Sequence, residues 1–324
     1  MTQEANQPYP FGIVGVDLKT VERDTPTDQP PAMQINEKLS VVGKPATRLD
    51  GRLKVTGAAK YSADIRLPGM VYAYMITSPV PAGKINSIDT RTAERMPGVA
   101  GVHILEGKTL RYAGQPIGAI AAATPMLAEE AVRKVKLDIE PVDWVVDMDE
   151  AQADDAPVVT VSASDAKATA GGGGGLHGTH RGNVVGPNVR KNGDIDRGFA
   201  EADAIVEAEF RTQVQTHSAL ETHGIVADWK PDGLTVYAST QGTQSVRDEL
   251  ASVFDLPKSK VRVITEFMGG GFGAKFGAGH YGALAANLSK KIGKPVWLML
   301  DREQEHLCVG NRPNSVQKLK IGAR

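Results

Sequence analysis

Met268-Gly269-Gly270-Gly271-Phe272-Gly273-Ala274-Lys275-Phe276 is the stretch on which the reading of this chain turns. An apolar, β-branched run precedes it (Val261, Val263, Ile264, Phe267), and a helical pattern follows from about Tyr281 to Ile292. A strand, a glycine turn and a helix start in that order form a site for an anionic group. The glycines let the backbone come close, and a helix N-terminus offers unpaired N–H donors. Phe272 is a large ring on a loop with almost no other side chains, so something bulky is expected to dock there.

The phosphate-binding P-loop pattern fails, because Ala274-Lys275-Phe276 stands where Gly-Lys-Ser/Thr is needed. The dinucleotide fingerprint fits better: Gly269, Gly271 and Ala274 match G-x-G-x-x-G/A, and a strand Pro295–Leu300 follows the helix. Asp301 ends that strand, later than the usual spacing of roughly 20 residues for a ribose-binding acid. A purely structural glycine-rich turn fits the same residues. The dinucleotide and the structural readings both stay open on the loop alone.

The residues upstream separate them. Tyr237-Ala238-Ser239-Thr240-Gln241, a helix near Ser245–Phe254, Leu256-Pro257 and the strand into Gly269 follow one another. This course resembles the molybdopterin-binding large subunit of the xanthine dehydrogenase and aldehyde oxidase family. That family carries a Ser-Thr-Gln strand end, a helix, a Leu-Pro or Val-Pro turn and Gly-Gly-Gly-Phe-Gly-Gly-Lys. Pro295-Val296 and Leu300-Asp301-Arg302-Glu303 resemble its later segments. Near the start, Val42-Gly43-Lys44-Pro45, Arg48-Leu49-Asp50-Gly51 and Lys54–Ile65 resemble its entry sequence. A nicotinamide-dinucleotide unit is thereby reduced to a minor alternative.

Composition agrees with a globular protein without a membrane span: formal charge −1, 41% hydrophobic residues and no long apolar run. Near-neutral charge gives no push towards nucleic acid. The single Cys308 excludes a cysteine cluster within the chain, so iron–sulfur centres are expected on another polypeptide. No signal-peptide pattern is present, and the expected location is the cytoplasm, with export alongside a partner subunit as the alternative.

The expected organisation has four parts. Residues 1–40 form a polar, proline-bearing tail, read as mobile or as an arm on a partner. Residues 41–148 form a small α/β domain. Its strands lie at Val71–Ile76, Gly98–Leu105 and Ile117–Ala122, and its helical patterns at Thr90–Met96 and Met126–Ile139. Residues 149–192 form a linker ending in Gly171–Gly175. Residues 193–324 begin a second, α+β domain, with Asp194 capping a short helix, a strand Ala204–Phe210 and a hairpin Ile225–Trp229/Leu234–Ala238. By resemblance, 41–148 is the family's hammerhead-type domain and 193–324 the first part of its molybdopterin-binding domain. Val316–Ile321 reads as a strand whose partner is missing, which implies a fragment or a second polypeptide carrying the remainder.

Other polar groups read as structural. Gln115 precedes a strand and is assigned to its turn. His177 and His180 lack further ligands. His217, Glu221 and His223 miss the H-E-x-x-H spacing and read as hydrogen-bonded support, with a metal role as the alternative.

The resemblance implies a molybdenum–pterin cofactor, plain or as the cytosine dinucleotide, held by Gln241, Gly270, Gly271, Phe272 and Gly273 without direct protein ligands to the metal. It implies hydroxylation with oxygen from water, and electrons passing to iron–sulfur and FAD subunits. The family's catalytic base and active-site arginine match no residue here and are expected beyond Arg324, so the chain alone is expected to be inactive. Phe276 stands where purine-oxidising members carry a glutamate, which points away from xanthine and towards aldehydes or aromatic compounds. An N-heterocycle hydroxylase and an inactive cofactor-binding fragment are the alternatives.

Overall fold

The computed structural model describes residues 6–11, 19–24, 38–159, 180–187 and 189–324, the first two segments as backbone only. Two compact units divide the chain, 1–55 and 56–324. In the first, β1 (Asn6–Phe11) and β2 (Lys19–Asp24) form an antiparallel hairpin, and α1 (Gly51–Val55) is a single helical turn. The expected tail thus contains a strand pair; its other residues up to 37 lie outside the described residues.

The second unit runs through β3 (Val71–Thr77), β4 (Gly83–Asp89), α2 (Arg91–Glu94), β5 (Val99–Ile104), β6 (Thr109–Leu110), β7 (Pro116–Ala122), α3 (Pro125–Arg133) and β8 (Lys136–Pro141). Beyond residue 179 come β9 (His180–Arg181), β10 (Val184–Val185), α4 (Ile195–Ala200), β11 (Ala204–Thr212), β12 (Gly224–Lys230) and β13 (Gly233–Ala238). The chain then forms α5 (Thr243–Val253), β14 (Val261–Ile264), α6 (Gly279–Ile292), β15 (Val296–Met299), α7 (Arg302–Cys308) and β16 (Ser315–Ala323).

Strands from both sides of the glycine-rich segment join one seven-stranded sheet, in the order β14-β13-β12-β15-β3-β7-β5. The seam is the parallel pairing of β15 on β3, with Val296 beside Val71. β7 lies between β3 and β5 and is buried along its whole length, which is why its sequence is continuously apolar. Helix α6 covers the sheet. Its buried Tyr281, Leu284, Ala285 and Leu288 recur at helical spacing and share a core with Ile225, Val296 and Leu298. Gly293, at φ 70°, ends it with an N–H bond to Ser289 O. A three-stranded sheet, β6-β4-β8, belongs with a second core of Ile76, Ile85, Val102, Leu110, Ile117 and Ile120.

Two expectations need correction. Met126–Ile139 is not one helix: Thr124 caps α3 by accepting from Leu127 N, the helix stops at Arg133, and β8 follows. The sequence Lys136-Leu137-Asp138-Ile139 alternates with a period of two, the mark of a half-buried strand. The strand β16 has its partner within the chain. It pairs antiparallel with β11, Thr212 opposite Ser315 and Ala204 opposite Ala323. The two lie 103 residues apart at that first pair, too far for a local pattern to reveal. The segment 149–192 is held at its described ends. Asn183 donates to Ala151 O and Pro157 O at 3.1 and 2.9 Å and accepts from Val159 N at 2.8 Å. Gly171–Gly175, His177 and the side chain of His180 lie outside the described residues.

Candidate functional site

The site is built where β13 ends. Gln241 N and the Thr240 hydroxyl both donate to Lys275 O, at 2.7 and 2.8 Å, so the strand end is stitched to the glycine loop. The Gln241 side chain completes the join. Its Oε1 accepts from Gly273 N at 2.9 Å and from Lys275 N at 3.4 Å. Two N–H groups facing one atom identify it as the amide oxygen. Nε2 is then the outward donor, and it has no acceptor among the described residues. A Cβ on Gly271 would lie 2.5 Å from that Oε1, so only glycine allows this approach.

The loop itself alternates in hand. Gly270 has φ 102° and Phe272 φ 52°, an unusual conformation for a residue with a side chain. Phe272 is 72% exposed, and its ring covers Gly270. The consecutive N–H groups of Gly270, Gly271 and Phe272 have no acceptor among the described residues. Such runs of backbone donors with alternating hand are anion-binding concavities. The start of α6 is not open in the same way. Glu249, from α5, accepts from Ala278 N at 2.6 Å and fills the place where an anion would meet that helix. The sequence expectation of a ligand on the helix N-terminus is corrected accordingly: the bare donors are those of the loop.

Beneath the loop the polar groups are buried and joined by hydrogen bonds. Glu221 clasps its start, accepting from Gly269 N at 2.6 Å while Glu221 N donates to Gly269 O at 3.2 Å. Lys275 is fully buried, and its Nζ donates to Glu221 O, Ser239 Oγ and Thr222 O at 2.6, 2.8 and 3.4 Å. Burial pulls this ammonium below the usual lysine range, and the Glu221 and Glu305 carboxylates oppose the shift. His223 and Glu305 are each 2% exposed. The ring Nδ1 lies 2.9 Å from Glu305 Oε2, and Nε2 lies 3.2 Å from Ala274 O. Burial pushes the Glu305 carboxyl up, but the hydrogen bonds from His223 outweigh it and hold the group below its ordinary value. Glu305 is therefore a carboxylate. The His223 ring is thus held between a carboxylate and a carbonyl.

The comparisons fit this geometry. Residues 176–324 match the model of the molybdopterin cofactor-binding domain. Residues 56–106 match that of the aldehyde oxidase and xanthine dehydrogenase a/b hammerhead domain. The nicotinate dehydrogenase large molybdopterin subunit of Eubacterium barkeri is 30% identical over 303 residues, covering 87% of this chain and 67% of that protein. The chain belongs to the xanthine dehydrogenase and aldehyde oxidase family. Among its relatives, a probable xanthine dehydrogenase subunit of Bacillus subtilis (strain 168) is 33% identical over 285 residues, or 82% of this chain and 36% of that one. The aldehyde oxidoreductase molybdenum-binding subunit of Escherichia coli (strain K12) is 29% identical over 315 residues, with coverage of 91% and 40%. The chain thus spans about two fifths or less of these last two. In fold it matches the CO dehydrogenase of Oligotropha carboxidovorans with a TM-score of 0.75 at 24% identity, covering 87% of this chain and 37% of that one.

For this family member, the five residues singled out from sequence (Gln241, Gly270, Gly271, Phe272 and Gly273) lie together on one loop and its facing strand end. Gln115 is structural, accepting from Arg111 N and donating to Thr109 O. Asp301 caps α7 through Gln304 N and accepts the Tyr74 hydroxyl, which removes the acid needed by the dinucleotide reading. Among the described residues no group of three or more His, Cys, Asp or Glu is arranged to hold a metal, and no helix is long and apolar enough to cross a membrane. Sequence reasoning missed Lys275, Glu249 and Glu305. A lysine ending a glycine loop reads as solvent-facing by default, and the partners of the two glutamates are 29 and 82 residues away.

Proposed function

We propose that the chain supplies the cofactor-holding first part of the large subunit of a molybdenum hydroxylase that oxidises aldehydes. One observation carries the reading: Gln241 Nε2 and the N–H groups of Gly270, Gly271 and Phe272 are donors without acceptors among the described residues, gathered on one loop that Gly271 keeps open. These residues fit a large anionic group approached closely by backbone, as a molybdenum–pterin cofactor is. When bound, that cofactor supplies the two-electron oxidation and inserts oxygen from water.

The chain's own residues bind and orient. Gln241 would donate to an oxygen of the cofactor, the loop N–H groups would meet pterin or phosphate oxygens, and the Phe272 ring covers the loop at Gly270. The cytosine dinucleotide form of the cofactor belongs to this proposal. So does a division at 149–192 into a hammerhead-type part and a cofactor-binding part, supported by the two separate family matches. Iron–sulfur and FAD subunits receive the electrons. The one cysteine, Cys308, is half-buried, with its thiol pushed up to about 12 by burial, and suits no cluster. Glu221 and Glu305 are committed to Gly269 N and His223, so the general base is assigned to the remainder of the large subunit. A cytoplasmic complex belongs to the proposal, with export alongside a partner subunit as the alternative.

Phe276, exposed beside Gly242, gives an apolar edge suited to an aldehyde. An N-heterocyclic substrate is the second reading, favoured by the relative named as a nicotinate dehydrogenase. The test is metal and pterin analysis of the chain co-expressed with the rest of its complex, followed by oxidation of aldehydes and of nicotinate with an artificial electron acceptor. Molybdenum, pterin and aldehyde turnover are expected. A complex without molybdenum that binds NAD at the glycine loop would overturn the proposal.

A further inference from the structure

We infer that Lys275 is a positioning residue for Gln241, its buried ammonium setting which end of the Gln241 amide faces the cofactor; the inference rests on the proposed function. Lysine is almost never fully buried without cause, because removing an ammonium from water is expensive. Here Nζ has three donors and three acceptors: Glu221 O, Ser239 Oγ and Thr222 O. The Glu221 carboxylate lies 4.0 Å away at Oε2, the oxygen that also accepts from Gly269 N, so the ammonium faces a negative charge as well. The side chain thereby ties the loop to two separate segments, the turn before β12 and the end of β13.

The backbone of the same residue holds Gln241 on both sides. Lys275 O accepts from Gln241 N, and Lys275 N donates to Gln241 Oε1, the bond that Gly273 N shares. If the ammonium is removed, three acceptors and a carboxylate lose their partner in a dry site, and the loop must shift to let water in. The two N–H groups that fix Oε1 shift with it. A primary amide freed from those donors turns over, since its two ends are nearly isosteric. It would then present an acceptor where the proposed site needs a donor. The ammonium thus acts through the loop backbone on the orientation of one amide and touches no ligand itself.

The test compares Lys275→Met, Gln241→Ala and the double variant in the complete enzyme, and follows amide hydrogen exchange in the full chain. Lys275→Met is expected to speed exchange at Gly273, at position 275 and at Gln241 at least tenfold while leaving β12 and β7 unchanged. Turnover should fall in both single variants, and the double variant should be no slower than Gln241→Ala, because the two changes act on one group. Losses that multiply in the double variant, or unchanged exchange at the loop, would overturn the inference. Where Lys275→Met does not fold, Ser239→Ala keeps the charge and removes one acceptor. It should give the same pattern at smaller size, and its absence overturns the inference equally. If Gln241→Ala leaves molybdenum content and turnover intact while the exchange pattern holds, the proposed function of Gln241 has failed and the clamp stands.

Discussion

His223 with Glu305, beneath the glycine loop, and Lys320 with Glu207, on the β11–β16 ribbon, are polar pairs of similar length, 2.9 and 2.6 Å. Their surroundings are opposite. The first pair is sealed under Ala274 and packed edge-on against Tyr281. The second lies on a two-stranded sheet whose apolar side chains, Val206, Phe210 and Ile321 among them, remain exposed. A charge pair in a dry core leaves an uncompensated charge when broken, whereas a pair in water hands its partners to solvent. The loop is held by polar groups that cannot let go, and the ribbon mainly by its hydrogen-bond ladder.

The largest expected effect is at Gly271. In Gly271→Val the new Cβ would enter the space of Gln241 Oε1, so both the close approach and the orientation of the amide are lost together. Molybdenum in the purified complex should fall to background, while the denaturation midpoint of the chain moves little, because the buried clamp below is intact. Full metal occupancy in a folded Gly271→Val protein would remove the loop from the site.

Breaking the buried pair should be the next most severe change. Glu305→Ala removes the buried partner of the His223 ring and the acceptor of His223 N, which donates to Glu305 at 2.7 Å. The expected loss is about 3–5 kcal/mol of unfolding free energy, read from urea denaturation. A loss below about 1 kcal/mol would mean that water reaches the pair and that the core is not dry.

These two sites differ in how far the sequence discloses them. Gln241 and the glycine run are adjacent to strand and helix signals, and the family resemblance of that course assigns them to one site. The seven-stranded sheet is less visible, because its seam pairs Val71 with Val296 across most of the chain. β4 is missed for another reason. Gly83-Lys84-Ile85-Asn86-Ser87-Ile88-Asp89 carries few β-favouring residues, and its pairing with β8 shifts register between Ile85 and Ser87. Glu305 is the least visible of all. One acidic residue in an exposed-looking helix gives no sign that a histidine 82 positions earlier waits beneath it.

A smaller effect follows from pH. Glu305 has a carboxyl lowered on folding, so its contribution is complete above the ordinary glutamate value, about 4.3, and disappears as pH falls through the depressed one. The stability advantage of the native chain over Glu305→Gln should therefore be constant from pH 7 to about 5 and shrink below about 4.3. Unfolding free energies of both proteins across that range check the sign. An advantage that grew on acidification would mean that the carboxyl is raised in the folded state.

The smallest effect belongs to the ribbon, and it decides whether the comparison holds in solution. Lys320 and Glu207 face each other directly across β11 and β16, with side chains 47% and 65% exposed. Lys320 Nζ also lies 5.1 Å from the Phe199 ring centroid, so its replacement alone mixes two interactions. A double-mutant cycle with Lys320→Ala and Glu207→Ala separates the pair, since the contact with Phe199 cancels between the two arms. An exposed cross-strand pair should couple by about 0.2–1 kcal/mol and lose most of that on going from about 0.1 M to 1 M salt, where the screening length falls from about 10 to 3 Å. A coupling above about 2 kcal/mol, insensitive to salt, is the behaviour of a desolvated pair. That result would mean that the ribbon is covered in solution and that its exposed Val206, Phe210 and Ile321 lie against another surface. The contrast with the buried pair under the loop would then be one of partner, not of environment.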